Sequence, residues 1–168
     1  MTRILILTLM LSFLGFGKGK AQEKKSTEKQ KGIIGRYYEN DSPVIMKFVN
    51  ELPNENTIKK LPFLTVVSWK YEGTKNNGMP PKEINERMII LEEALETSMN
   101  ETDIFTHAYS RTGNNLKELV YYTTKQDDFM TMLNRTLEKH DVYPIEINFY
   151  EDKEWTDFQK VLNDFKNK

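Results

Sequence analysis

FLTVVSWKY, residues 63–71, is the stretch on which the fold turns. Val66, Val67, Trp69 and Tyr71 favour extended backbone, and the first half of the run is apolar on both faces, as a central strand requires. Gly73 to Gly78 ends it. Pro80-Pro81 then sets a helix start, because proline's fixed φ and missing donor are tolerated in the first turn. Ile84, Met88, Leu91 and Leu95 follow at helical spacing, in a stripe that runs to about Met99. Each such side chain gains roughly 1.5–3 kcal/mol on burial before entropy is counted, so this stripe is expected to anchor the core.

Outward from this unit the punctuation stays regular. Ile104 to Arg111 and Leu116 to Thr124 are β-prone runs joined by Thr112-Gly113-Asn114-Asn115, whose Gly and Asn tolerate the positive φ of a tight hairpin. A second helix is expected from about Gln126 to Lys139, with Asp127 and Asp128 at its positive end and Phe129, Leu133 and Leu137 on one face. Tyr143 to Tyr150 alternates, with Tyr143, Ile145, Ile147 and Phe149 on one face and Glu146 and Asn148 on the other. Asp152 suits an N-cap, and Trp155, Phe158, Leu162 and Phe165 form the stripe of a final helix. Toward the N-terminus, Ile33 to Tyr38 and Val44 to Val49 read as a hairpin around Asn40-Asp41-Ser42-Pro43, and Leu52 to Leu61 reads as a loop.

These elements predict an α+β domain. From Phe63 the order is strand, helix, strand, strand, helix, strand, helix, and its first six members match a ferredoxin-like plait, βαββαβ, with two helices on one face of a four-stranded antiparallel sheet. The N-terminal β-hairpin and the extra C-terminal helix are additions that extend the sheet's edge or cover its second face.

The chain's first residues bear on location. Arg3 precedes an almost unbroken apolar run from Ile4 to Phe16, and Gly19-Lys20-Ala21 offers small residues for cleavage, the pattern of a secretory signal peptide over residues 1–21. The run is about thirteen residues where a spanning helix needs about twenty, so no permanent membrane span is expected after cleavage. Residues 22–32, polar and without periodicity, read as a flexible tether, and residues 33–168 as a single domain. The mature chain is then expected to be periplasmic or secreted. Cleavage would take 24 basic residues to 21 against 25 acidic ones, a formal charge of about −4, which disfavours nucleic acid as a partner because such binding rests on neutralising phosphates. There is no cysteine among the 168 residues, so disulfides, thiol catalysis and thiolate metal sites are excluded.

Trp69 and Tyr71 at the end of the long strand, Gly78-Met79-Pro80 before the first helix, the Tyr121-Tyr122 pair, and Asp152 with Trp155 and Phe158 together resemble the bacterial family known as domain of unknown function 695. The resemblance extends over most of Ile33 to Phe165 and rests on packing and turn positions, so it implies a shared fold rather than a shared chemistry. Some members resemble, or are joined to, a ferredoxin-like regulator of ribonuclease E, which implies nuclease regulation as one alternative by analogy of fold.

Candidate chemistry is sparse. No G-x-S-x-G elbow, P-loop, dinucleotide fingerprint or H-E-x-x-H occurs, so neither a cofactor nor a metal is expected. His107 lies in a strand, and Glu151 and Asp152 sit in an acidic group with Glu154 and Asp157 at the start of the last helix. These three residues are the candidates for an unrecognised hydrolase or other enzyme, against the simpler reading that first-turn carboxylates stabilise a helix. Glu92-Glu93 and Asp127-Asp128 are helix neighbours whose side chains diverge by about 100 degrees, which makes them solvated faces rather than acid/base pairs. The aromatic residues lead instead. Trp69, Tyr71, Tyr109 and Tyr121 lie on strands whose alternation sends some of the aromatic set away from the two helices. With Trp155 they are candidates for a surface that takes an envelope protein or a small ligand, unless the last helix covers that face as a second core. The leading expectation is a non-enzymatic binding or interaction module.

Overall fold

The computed structural model describes residues 32–166. The expected signal peptide and nearly all of the tether lie outside the described residues. An antiparallel sheet of six strands forms the middle layer, in the order β1-β2-β4-β5-β3-β6. The strands are β1 (Gly32–Glu39), β2 (Ser42–Val49), β3 (Phe63–Lys70), β4 (Phe105–Gly113), β5 (Leu116–Thr123) and β6 (Ile145–Glu151). Four α-helices accompany them: α1 (Glu55–Lys60), α2 (Lys82–Glu101), α3 (Gln126–Leu137) and α4 (Thr156–Lys166). The class is α+β, as expected. The four-stranded sheet of the sequence reading is enlarged to six strands, because the N-terminal hairpin joins it through pairing of β2 with β4.

The decisive stretch behaves as read. β3 lies between β5 and β6, and Leu64, Thr65, Val67, Ser68 and Trp69 are buried along it. Val67 and Trp69 face one way, into a core with Met88, Leu91 and Leu95 of α2, Phe129 and Leu133 of α3, and Leu119 and Tyr121 of β5. Leu64 faces the other way, into a second core with Met46, Phe48, Tyr122, Trp155, Phe158 and Leu162. The last helix therefore covers the sheet's second face. Tyr143, Ile145, Ile147 and Phe149 all pack on the first core, as the alternation requires.

Both hairpins close on two asparagine- or aspartate-type residues at positive φ, Asn40 (48°) with Asp41 (61°) and Asn114 (48°) with Asn115 (63°). This is the twist-matched geometry of two-residue β-turns. Gly113 at φ 148° lies where β4 crosses close to β2, and a Cβ there would stand 2.1 Å from the Pro43 carbonyl oxygen. One expectation fails outright: Leu52 to Leu61 is not a loop but contains α1. Asn54 Oδ1 accepts a hydrogen bond from Thr57 N at 3.1 Å, a side-chain cap that lets six residues form a helix without a buried residue of their own.

Candidate functional site

A β-bulge in β4 sets the chemistry of both faces. His107 pairs with Tyr121 and Tyr109 with Val120, so Ala108 is the extra residue. Strict alternation would place Tyr109 beside Phe105 and His107 on the α2 side. The inserted residue re-aims it, so that Tyr109, Arg111 and their partners face α4. Tyr109 Oη donates to Asp157 Oδ2 of α4 at 2.7 Å, and its ring stacks on Phe158 with centroids 6.4 Å apart.

Beyond Tyr109 opens a cleft of ≈ 410 Å³ between the sheet and α4. Its floor is Arg111, whose Nη2 donates to Glu39 Oε2 at 2.6 Å and whose Nε lies 3.7 Å from Glu118 Oε2. The second distance is that of an ion pair, too long for a hydrogen bond, and Nε has no hydrogen-bond partner among the described residues. Glu39 also accepts from Tyr37 Oη at 3.1 Å, and Glu118 from Ser68 Oγ at 3.4 Å. The register supplies the set. Arg111 stands opposite Glu118 across the β4–β5 hairpin and opposite Met46 across β2, while period-two alternation puts Tyr37 and Glu39 on one face of β1. From α4 come Val161, Asp164 and Phe165. The Phe165 ring lies against Gly35, where a Cβ would stand 2.2 Å from the ring, so a larger residue there would push α4 off the sheet.

The electrostatics follow from this packing. Burial opposes ionisation of Glu39, but the neighbouring Arg111 guanidinium and its hydrogen bond hold the carboxyl below its ordinary range. Tyr37 is pushed up to about 12, chiefly by burial, with Arg111 pulling the other way and Glu39 adding to the rise. Tyr109 is raised further, by burial and then by its bond to Asp157. The phenols therefore stay neutral hydrogen-bonding groups throughout the physiological range.

The candidates named from the sequence are distributed across the fold. Trp69 and Tyr121 are buried on the α2 and α3 side, Trp155 is buried on the α4 side, and only Tyr109 lines the cleft. Trp155 adopts φ 56° and stacks on Tyr122 with centroids 3.8 Å apart, while its Nε1 donates to the Leu61 carbonyl at 3.0 Å. Tyr71 is partly buried, and its Oη donates to the Gly78 carbonyl at 2.9 Å, which closes the loop ahead of α2. Asp152 caps α4: Oδ1 accepts from Thr156 N at 2.8 Å, and Oδ2 accepts from Asp157 N at 3.0 Å and from Tyr122 Oη at 2.6 Å. Glu151 is exposed and pairs with Lys153 at 2.6 Å. His107 is on the opposite side of the sheet, in a small cavity of ≈ 140 Å³ with Glu92, Glu96, Met99 and Tyr121. Burial holds its imidazole down at about 4 despite the nearby Glu92. The three acid/base candidates are thus not brought together. Among the described residues no group of three or more His, Asp or Glu side chains is placed to hold a metal ion, and no helix is long and apolar enough to cross a membrane.

The sequence reading passed over Tyr37, Glu39, Arg111 and Glu118. A signal was present: the Asn114-Asn115 turn fixes Arg111 opposite Glu118. The bulge that turns this pair toward α4 has no mark in the sequence beyond the small Ala108.

A model of the family of unknown function (DUF695) matches residues 37–163, most of the chain and the cleft from Tyr37 to Val161, without Asp164 and Phe165. No curated protein and no solved structure matches it.

Proposed function

The chain belongs to this family of unknown function, and because membership brings a fold without an activity, we propose from the geometry that the protein is a non-enzymatic binding module whose ligand seats in the Arg111 cleft. Arg111 carries the reading. Its guanidinium is held between two carboxylates under an opening of ≈ 410 Å³, within the size range of small-ligand sites. Tyr37, Tyr109 and Phe165 line the same space beside the pair. The ligand is a small molecule or a side chain of an envelope protein. Export is part of the proposal, supported by the charged start, apolar run and small residues of 1–21. So is a ferredoxin-like core, supported by the order β4-β5-β3-β6 with α2 and α3 on one face. Ribonuclease regulation, the alternative by analogy of fold, requires retention in the cytoplasm, and finding only the cleaved form outside the cytoplasm would end it.

The test is crosslinking in whole cells followed by affinity capture with wild-type and Val161→Trp baits, the substitution placing an indole in the cleft. A specific prey that wild type captures and the tryptophan variant loses, at unchanged melting temperature, is the expected result. Equal capture by both baits overturns the assignment of the cleft. A bait beginning near Gln22 is expected, and one that retains Met1 to Arg3 would refute export.

A further inference from the structure

We infer that the cleft takes an organic cation, an alkylammonium or guanidinium group with N–H donors. This rests on the reading of the cleft as the binding site and names the chemistry that site would select. The lining carries three carboxylates, Glu39, Glu118 and Asp164, against one cation, Arg111. Arg111 is satisfied as a charge by Glu39 at 2.6 Å, while Glu118 at 3.7 Å makes only a long ion pair with it. Its Oε2 therefore keeps acceptor capacity toward the cleft. Asp164 adds a further carboxylate from α4, on the wall opposite the sheet. The lining carries an excess of two negative charges, which opposes entry of an anion, and an uncharged apolar group would take water from Glu118 Oε2 and Asp164 without replacing its hydrogen bonds.

The aromatic walls point the same way. Tyr37, Tyr109 and Phe165 line the space, and ring faces attract a cation, the more strongly where it is desolvated. The phenols remain neutral, so Tyr37 offers a ring face and an oxygen without competing as a charge. A ligand with a flat or alkyl body and a terminal cation thus finds rings along its sides and carboxylates at its head. The volume of ≈ 410 Å³ admits a molecule or side chain of several heavy atoms, more than an inorganic ion needs.

The experiment is a two-dimensional amide NMR titration of the described domain within the full mature chain, with n-butylguanidinium, n-butylammonium, tetramethylammonium and butyrate at constant ionic strength. The two N–H cations are expected to shift residues of β1, β4 and α4 saturably, tetramethylammonium more weakly and butyrate not at all. Glu118→Gln with Asp164→Asn is expected to weaken binding tenfold or more while the fold's own spectrum persists. A blocked arginine tripeptide that binds tighter than n-butylguanidinium would identify the source as a partner's side chain, and one that binds weaker would identify a free cation. Butyrate binding as well as the cations, or cation binding unaffected by the double substitution, overturns the inference. The two readings fail separately. Cleft residues that respond to butyrate alone would keep the cleft and discard the cation, whereas saturable cation shifts confined to the α2 face would discard the cleft itself.

Discussion

Replacing Asp152 by alanine tests whether the acidic group at the head of α4 is architecture. The carboxylate accepts from Thr156 N and Asp157 N, at 2.8 and 3.0 Å, and from the Tyr122 hydroxyl at 2.6 Å. Loss of a helix cap costs about 1 kcal/mol, within a range of roughly 0.5–2. Tyr122 is wholly buried, so its hydroxyl would lose a charged acceptor in a place water does not readily reach, at about 1–3 kcal/mol. The sum is a loss of about 2–4 kcal/mol. Tyr122→Phe removes the hydroxyl and its need together, and is expected to cost about 1 kcal/mol. The double variant should then lose less than the two single losses combined, because the groups share one bond. Urea unfolding followed by tryptophan fluorescence reads this directly, since Trp155 stacks on Tyr122 and Trp69 reports the other core. Asp152 is also held below its usual 3.8: burial opposes ionisation, and the bonds from Asp157, Tyr122 and Thr156 outweigh it. A depressed carboxyl contributes stability that is present above its unfolded value and is lost as pH falls through its folded value. Asp152→Asn should therefore lack part of the wild type's decline below that value. An alanine variant within about 0.5 kcal/mol of wild type, or strict additivity in the double variant, would refute the capping account.

Further expectations follow from the same packing. Gly113→Ala would push a methyl against the Pro43 carbonyl and should destabilise by the upper part of the roughly 1–3 kcal/mol associated with strained backbone, read as a lowered urea midpoint. Arg111→Met leaves Glu39 and Glu118 without their cation, and since the arginine side chain is 19% exposed the loss should be about 1–3 kcal/mol, short of a fully buried pair. In that variant the Glu39 carboxyl, followed by carbon-detected NMR, should rise from its depressed position, and an unchanged titration would rule out Arg111 as the cause. His107 should titrate at about 4 in proton NMR. Because its folded value lies below the unfolded one, the neutral ring favours the fold above about 6.5 and this contribution fades as pH falls toward 4. His107→Gln should flatten that segment of the stability profile, and a His107 midpoint near 6.5 would contradict its burial.

The layers were legible because they rest on local periodicity. Residues 63–71 announced a strand buried on both faces, and the structure places β3 between β5 and β6 with a core on each side. Ile84, Met88, Leu91 and Leu95 announced α2, and three of the four are fully buried. The two hairpins were legible from Asn and Asp at positions that need positive φ. What escaped was non-local or too short for a period. α1 has six residues and no buried one, so no hydrophobic stripe could betray it, and only its Asn54 cap was available as a cue. Joining of the hairpin to the main sheet depends on β2 meeting β4, an encounter between segments some sixty residues apart that local pattern does not encode.

The site shows the same boundary more sharply. Aromatic residues on strands were the natural lead, because alternation must send some of them to each face. Alternation fixes a face, however, and leaves open what the opposite layer supplies. Here Trp155, just ahead of α4, with Phe158 and Leu162 of the helix turns Tyr122 from a surface group into the floor of a core. The last turn of the helix reaches β1, where Phe165 lies on Gly35, and beside that contact Val161, Asp164 and Phe165 line a space they share with Arg111. The cleft thus lies between one helix of eleven residues and a sheet widened to six strands. Without the N-terminal hairpin the cleft would lose Tyr37, Glu39 and Met46, and Arg111 would lose its nearest carboxylate. The two additions to the predicted plait, the hairpin and the last helix, are therefore the elements that between them build the candidate site.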